Sequence, residues 1–355
     1  MPPQIRSAIA SVPPYRPGKP APSGPGGVSF KLSSNENPYP PLPGVLAATQ
    51  AACERMNRYP DMANSELIVA LADKHQVGED QLAIGTGSVA VLYNLLQALA
   101  GEGDEVVYPW RSFEAYPIAV QLTGARSVQV PNGPDAGHDL EALRRAVTPA
   151  TKVIMVCTPN NPTGPIVDHD RLAAFIDDVP DHIMIVIDEA YVEFGTAPNR
   201  ARGLELIGPN VASLRTFSKA YGLAGFRVGY CVADPAIAGA VRAASAPFGV
   251  SLPAQAAAVA SLAAEDELLH RVQELIKERD TLADGLRQLG LTVPDSQSNF
   301  VWLAAGDRTA DWAQQFTAAG LMVRPFVDAP DAGLRITVGE PEANRLVLRT
   351  AAELV

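Results

Sequence analysis

From residue 42 onward, short apolar runs alternate with helix-like runs, and this alternation restricts the fold more than any other feature of the chain. The runs DEVVYP (104–109), RSVQV (126–130), KVIMVC (152–157), IMIVID (183–188), VASLRT (211–216) and VGYCVA (228–233) have strand length. Helical patterns such as 88–100 and 170–179 lie between them. Strands that are apolar on both faces must be covered on both faces, as happens when helices form the crossovers of a parallel sheet. The expectation is an α/β protein whose large domain has three layers, with a mostly parallel sheet in the middle.

Past residue 234 the pattern changes. An Ala-rich helical stretch over roughly 253–289 leads to the strands NFVWL and LRITV, with the helix WAQQFTAAG between them, and predicts a smaller α+β domain. The Pro- and Gly-rich first 41 residues predict an arm that belongs in part to that domain, so the expected divisions are 1–41, 42–240 and 241–355. A length of 355 residues with 47% hydrophobic content can fill two such cores.

The balance of 28 basic against 39 acidic residues gives a net charge of −11, which argues against nucleic acid or an anionic membrane as the main partner. Cys53, Cys157 and Cys231 lack paired spacing, so neither a disulfide framework nor a metal site is expected. No apolar stretch reaches the ~18 residues of a spanning helix, and MPPQIRSAIASVPPYRPGKPAP carries no signal-type apolar core. A cytoplasmic location is the simplest expectation.

Ligands of open parallel sheets collect beyond the carboxyl ends of the strands. There the chain places TPNNPTG (158–164), DEAY (188–191) and TFSKAYGLAGFR (216–227), while GTGS (85–88) opens a helix. Each piece is ambiguous alone. GTGS offers backbone N–H groups and a positive dipole end to a phosphate, or is simply a tight loop. Asp188 ends an apolar strand as a Walker B aspartate would, but the phosphate loop that reading needs is missing, because the one Gly-Lys pair, Gly18-Lys19, is followed by Pro20. Lys219, at a strand end among apolar residues, can lose its proton through desolvation and attack an aldehyde. Taken together, the lysine, carboxylate, tyrosine, asparagine, hydroxyls, arginine and glycine loop are what pyridoxal phosphate demands: a Schiff-base lysine, a partner for the pyridinium nitrogen, donors for the ring oxygen and a phosphate cup.

Read in order, PPYRPG, LSSNENP, NRYPD, NNPTG, IDEAYVEF, RTFSKAYGLAGFRVGY, SNFVWL, VRPF and LRITVG resemble the fold-type I pyridoxal phosphate aminotransferases over nearly the whole chain, in particular the histidinol-phosphate and aromatic aminotransferase group. The resemblance implies Lys219 as the Schiff-base lysine, Asp188 as the partner of the pyridinium nitrogen, and Asn161 and Tyr191 as donors to the ring oxygen. Phe113 falls where that group stacks an aromatic ring, usually Tyr, on the cofactor face. The amides of Gly87, Ser88 and Val89, the hydroxyls of Thr216 and Ser218, and the fork of Arg227 would form the phosphate cup. Tyr59 would reach the same phosphate from the partner subunit, which implies a homodimer with shared active sites. Arg335 would clamp a substrate carboxylate, and Asn35, Tyr15 and Arg324 would line the substrate mouth.

The implied reaction transfers an amino group between an amino acid and a 2-oxo acid, with Lys219 as general base and acid. Val89 and Ala90 stand where the histidinol-phosphate branch usually shows an acidic pair, and PWRSFEAYP replaces its PTYxxY. Both stretches resemble the actinobacterial aromatic aminotransferases more closely. The expected donor is therefore Phe, Tyr or Trp, with 2-oxoglutarate as acceptor. Histidinol-phosphate transamination is the alternative, because Arg324, Arg335 and Tyr15 can bind a phosphate as readily as a carboxylate. A related decarboxylase and a cofactor-binding regulator are further readings; the regulator lacks a helix-turn-helix before residue 42. Arg215 gains no role and is expected to be structural.

Overall fold

The computed structural model describes residues 3–12, 18, 20, 23–328 and 331–355. Its strands are β1 (Phe30–Lys31), β2 (Leu82–Gly85), β3 (Glu105–Trp110), β4 (Arg126–Pro131), β5 (Thr151–Cys157), β6 (Met184–Asp188), β7 (Val211–Thr216), β8 (Gly229–Val232), β9 (Phe300–Leu303), β10 (Leu321–Met322), β11 (Arg324–Phe326) and β12 (Gly333–Thr337). The helices are α1 (Ser7–Ala10), α2 (Pro43–Cys53), α3 (Ser65–His75), α4 (Ser88–Leu99), α5 (Ala115–Thr123), α6 (Leu140–Arg145), α7 (His169–Asp178), α8 (Pro235–Ala244), α9 (Leu252–Ala263), α10 (Glu265–Gln288), α11 (Thr309–Ala318) and α12 (Pro341–Ala352).

Seven strands form the central sheet in the order β2-β8-β7-β6-β5-β3-β4. From β3 to β7 the pairings are parallel. The expected strand at 228–233 forms as β8 but runs antiparallel to both β7 and β2. Alternation along each strand feeds two cores. Val153, Met155 and Cys157 face the side covered by α4, α5 and α8, while Ile154 and Val156 face α6 and α7. Burying an aliphatic side chain of this size contributes about 1.5–3 kcal/mol, so the doubly covered strands anchor the fold.

A second sheet, β11-β12-β9, is antiparallel, with β12 in the middle. The N-terminal arm reaches it. β1 pairs in parallel with β10, and Leu32 O accepts from Thr337 N at 2.9 Å, which carries Ser33, Ser34 and Asn35 to the end of β12.

The helical stretch expected over 253–289 is interrupted at Ala264, whose φ of −108° and ψ of 23° leave the helical region. Alanine is the best helix former, so the break has a tertiary cause. Glu265 opens α10 with its carboxylate bound to Lys74 and Tyr221, and an acid is favoured at that helix end. On α9 the buried residues Ala254, Ala257, Ala258 and Ser261 are small enough for α2 to pack closely. No described helix is long and apolar enough to cross a membrane.

Candidate active site

The carboxyl ends of β5, β6 and β7, the start of α4, the arm at 33–35, and β11 and β12 surround one cavity of about 340 Å³. Its lining includes Asn35, Ser88, Val89, Phe113, Asn161, Asp188, Tyr191, Thr216, Ser218, Lys219, Arg227, Arg324 and Arg335 from the set singled out in the sequence. Lys219 Nζ donates to Ser34 O at 3.0 Å and lies 5.7 Å from the centre of the Tyr191 ring. Burial, helped by the nearby Arg335 guanidinium, brings this amine down to about 7 from an ordinary 10.5. A large share of it is therefore unprotonated near neutral pH, the form that can attack an aldehyde.

Asp188 ends β6 and is 7% exposed. Its Oδ2 accepts the Tyr116 hydroxyl at 2.8 Å and its Oδ1 accepts Ala190 N–H at 3.2 Å. Burial pushes the carboxyl up and these two donors pull it back, with burial prevailing. A carboxylate has about four acceptor positions, so two remain for a cationic N–H. Tyr116 escaped the sequence reading. It stands in the quoted PWRSFEAYP, but nothing local marks a tyrosine that serves a carboxylate 72 residues away.

Asn35 Nδ2 donates to the Tyr191 hydroxyl at 2.9 Å. Since that amide nitrogen can only donate, the tyrosine proton remains available to another acceptor. Asn35 is itself fixed, with Thr337 Oγ1 donating to its Oδ1 at 3.1 Å and its backbone in the left-handed region at φ 54°. It thus orients Tyr191 as well as lining the cavity. Arg335 Nη1 donates to Asn161 Oδ1 at 2.7 Å, and arginine has only donors, so the Asn161 amide must present its N–H groups elsewhere. Arg335 Nη2 donates to Ser33 O at 2.5 Å, and Phe300 lies 5.6 Å from the guanidinium. At 7% exposure on a central strand, Arg335 is not a surface arginine of an edge strand.

The residues expected to form a phosphate cup meet at the helix start. Gly87 has φ 85°, and its own N–H is taken by Gly85 O at 2.7 Å. The expected Gly87 amide is thus spent in the tight turn, which leaves those of Ser88 and Val89, first-turn N–H groups without helical partners. Gly87 instead makes room, since a Cβ there would meet Arg227 Nη2. Gly229 does the same for the backbone N–H of Ser88. Thr216 Oγ1 accepts from Ser218 N at 3.1 Å, and Ser218 Oγ accepts from Arg227 Nη1 at 3.0 Å, so both hydroxyls keep a proton to donate. Arg227, at φ 54°, remains exposed at the rim.

At the opposite end Arg324 Nη2 contacts both carboxylate oxygens of Glu114, at 3.0 and 2.9 Å. Glu114 was not anticipated. Tyr59 does not reach this cavity; it is 81% exposed and packs against Phe248 at 4.7 Å. Tyr15 lies outside the described residues. Arg215, left without a role by the sequence, pairs with the buried Glu189 at 3.1 Å on the far side of β7. Among the described residues no cluster suited to a metal ion occurs.

Residues 28–350 match the family described as aminotransferase class I and II. The chain belongs to that family. This aminotransferase is 53% identical over 353 residues to the aromatic amino acid aminotransferase of Streptomyces coelicolor, covering 99% of this chain and 97% of the relative. It is 50% identical to the enzyme of the same name from Thermobifida fusca, at the same coverage. Among solved structures, histidinol-phosphate aminotransferase from Sinorhizobium meliloti in complex with pyridoxal-5'-phosphate superposes on the aminotransferase with a TM-score of 0.85, at 30% identity and covering 91% and 90% of the two chains.

Proposed function

We propose that this aminotransferase uses pyridoxal 5'-phosphate to move the amino group of an aromatic amino acid to 2-oxoglutarate. The observation that carries the reading is the convergence of the lowered Lys219 amine, Asp188, Asn161, Tyr191 and Arg335 on one cavity. The residues present fit the cofactor. Gly229 leaves a cradle that a Cβ would fill against Ser88, Asp188 keeps acceptor positions beneath the cavity, and the hydroxyl protons of Thr216, Ser218 and Tyr191 are uncommitted. The cofactor, when bound, supplies a sink for the electron pair released as the substrate loses its Cα proton.

The other tasks belong to side chains of this protein. Asp188 holds a proton on the pyridine nitrogen, while Asn161 and Tyr191 donate to the ring oxygen. Phe113 covers a ring face. Ser88, Val89, Thr216, Ser218 and Arg227 bind the phosphate, joined by Tyr59 of the partner subunit. Arg335 would orient the substrate carboxylate, and Lys219 Nζ would take the Cα proton and deliver it to the cofactor carbon across the amino nitrogen. The exposed Met56, Tyr59, Met62 and Phe248 support the homodimer that Tyr59 requires. The proposed division into an arm, a large domain to residue 240 and a small domain beyond it places the cavity between the large domain and the rest.

A panel of amino donors tests the reading, with ping-pong kinetics and highest kcat/KM for Phe, Tyr or Trp expected. Histidinol phosphate stays as a second reading because Arg324 and Arg335 are register partners lining one cavity. A kcat/KM for imidazole-acetol phosphate far above that for phenylpyruvate would replace the aromatic assignment with it. Purified protein without imine absorbance, even after addition of pyridoxal phosphate, would refute both.

A further inference from the structure

Glu114 has no part in the chemistry proposed above, yet it lines the cavity and grips one of its arginines. Arg324 on β11 is the direct register partner of Arg335 on β12. Directly opposed residues of an antiparallel pair project to one face, so two guanidinium groups are set side by side there. Their partners differ. Arg335 donates to two neutral acceptors, Asn161 Oδ1 and Ser33 O. Arg324 meets a carboxylate through two contacts, so its charge is compensated on the spot. Phe326 lies 5.9 Å from each guanidinium, so the wall they share also offers an apolar face.

We propose that Glu114 is a specificity-determining residue: its pairing with Arg324 makes the side-chain end of the cavity electrically neutral. An uncharged aromatic substrate is admitted there at no electrostatic cost. A side chain ending in phosphate or carboxylate competes with Glu114 for Arg324, and is repelled by it on the way. Discrimination of this kind is achieved by an element that opposes the wrong ligand, not by added attraction for the right one. It also follows that 2-oxoglutarate, a dicarboxylate, binds against resistance. The inference rests on the aminotransferase reading.

The test compares acceptors within one half-reaction of the cofactor-loaded protein. In Glu114→Gln the ratio of kcat/KM for 2-oxoglutarate to that for phenylpyruvate rises about tenfold, the size of one relieved charge conflict, and imidazole-acetol phosphate gains similarly. Arg324→Gln moves the ratio the other way and guards against a folding defect in the first variant. Glutarate, which cannot react, provides a readout free of turnover, and its dissociation constant by calorimetry falls in Glu114→Gln. Glu114 precedes α5, and a merely structural role there lowers all substrates alike; equal ratios in the wild-type and Glu114→Gln proteins overturn the proposal. If none of the proteins transaminates but glutarate still binds Glu114→Gln more tightly, the aminotransferase reading fails and the neutralising role stands.

Discussion

The Tyr116 hydroxyl donates a hydrogen bond to Asp188 Oδ2 across 2.8 Å, from a helix to the end of a strand, and both side chains are buried. Burial already pushes the Asp188 carboxyl towards its neutral form, so this donor helps hold the charge that a pyridinium partner needs. A hydrogen bond to a charged group contributes about 1.5–3 kcal/mol, so Tyr116→Phe is expected to weaken cofactor binding and lower kcat by about tenfold or more. Cofactor titration followed by imine absorbance, together with steady-state rates, checks this; unchanged values in both would remove Tyr116 from the site.

The Lys219 amine sets a pH dependence. In cofactor-free protein its reaction with an aldehyde reagent should reach half its plateau near pH 7, where its folded value lies, and not near 10.5. Arg335 is the next contributor after burial, so Arg335→Gln should move the midpoint upward. Between about 7 and 10.5 the unfolded chain holds the proton that the folded chain has lost, so stability of the cofactor-free protein rises with pH over that window. Lys219→Ala should abolish turnover and flatten that rise.

Arg215 gives a prediction about stability. Glu189 has a fully buried side chain and also accepts from Ser213 Oγ at 2.6 Å and Gly203 N at 2.9 Å. Arg215→Ala strands that carboxylate and is expected to cost about 3 kcal/mol in urea unfolding, the usual outcome when one partner of a buried pair is removed. A change within about 0.5 kcal/mol would instead class the pair with exposed ion pairs.

Gly229→Ala drives a Cβ into the start of α4. The helix must retreat from the cup, so cofactor should dissociate on gel filtration while far-ultraviolet circular dichroism stays near that of the wild type. Retention of cofactor at wild-type affinity would show that the cradle has slack.

Lys219, Asp188, Asn161 and Arg227 could be read from the sequence because each sits in a short contiguous motif at a strand end, where period and position coincide. What orients them could not. The Ser33 and Ser34 carbonyls carry no residue identity, and Glu114 and Arg324 are 210 residues apart. The same divide runs through the fold. β5, β6 and β7 were plain as apolar runs, whereas β2 has four residues and escaped notice, and the reversed direction of β8 leaves no compositional trace. The pause at Ala264 falls beside Glu265, which is held by Lys74 and Tyr221, both far from it in sequence.

The place of Arg335 on the middle strand of its sheet has a consequence for how enzymes of this architecture diversify. The proposed grip on the substrate carboxylate is built into a strand paired on both sides, and it would move only if the sheet did. The residues proposed to meet the substrate side chain, Arg324 and Glu114, sit on a three-residue edge strand and a pre-helical turn. Substrate range can therefore drift by small changes at that periphery while the catalytic chemistry is inherited intact, and a designer seeking a new amino donor would begin at the edge and leave the middle strand alone.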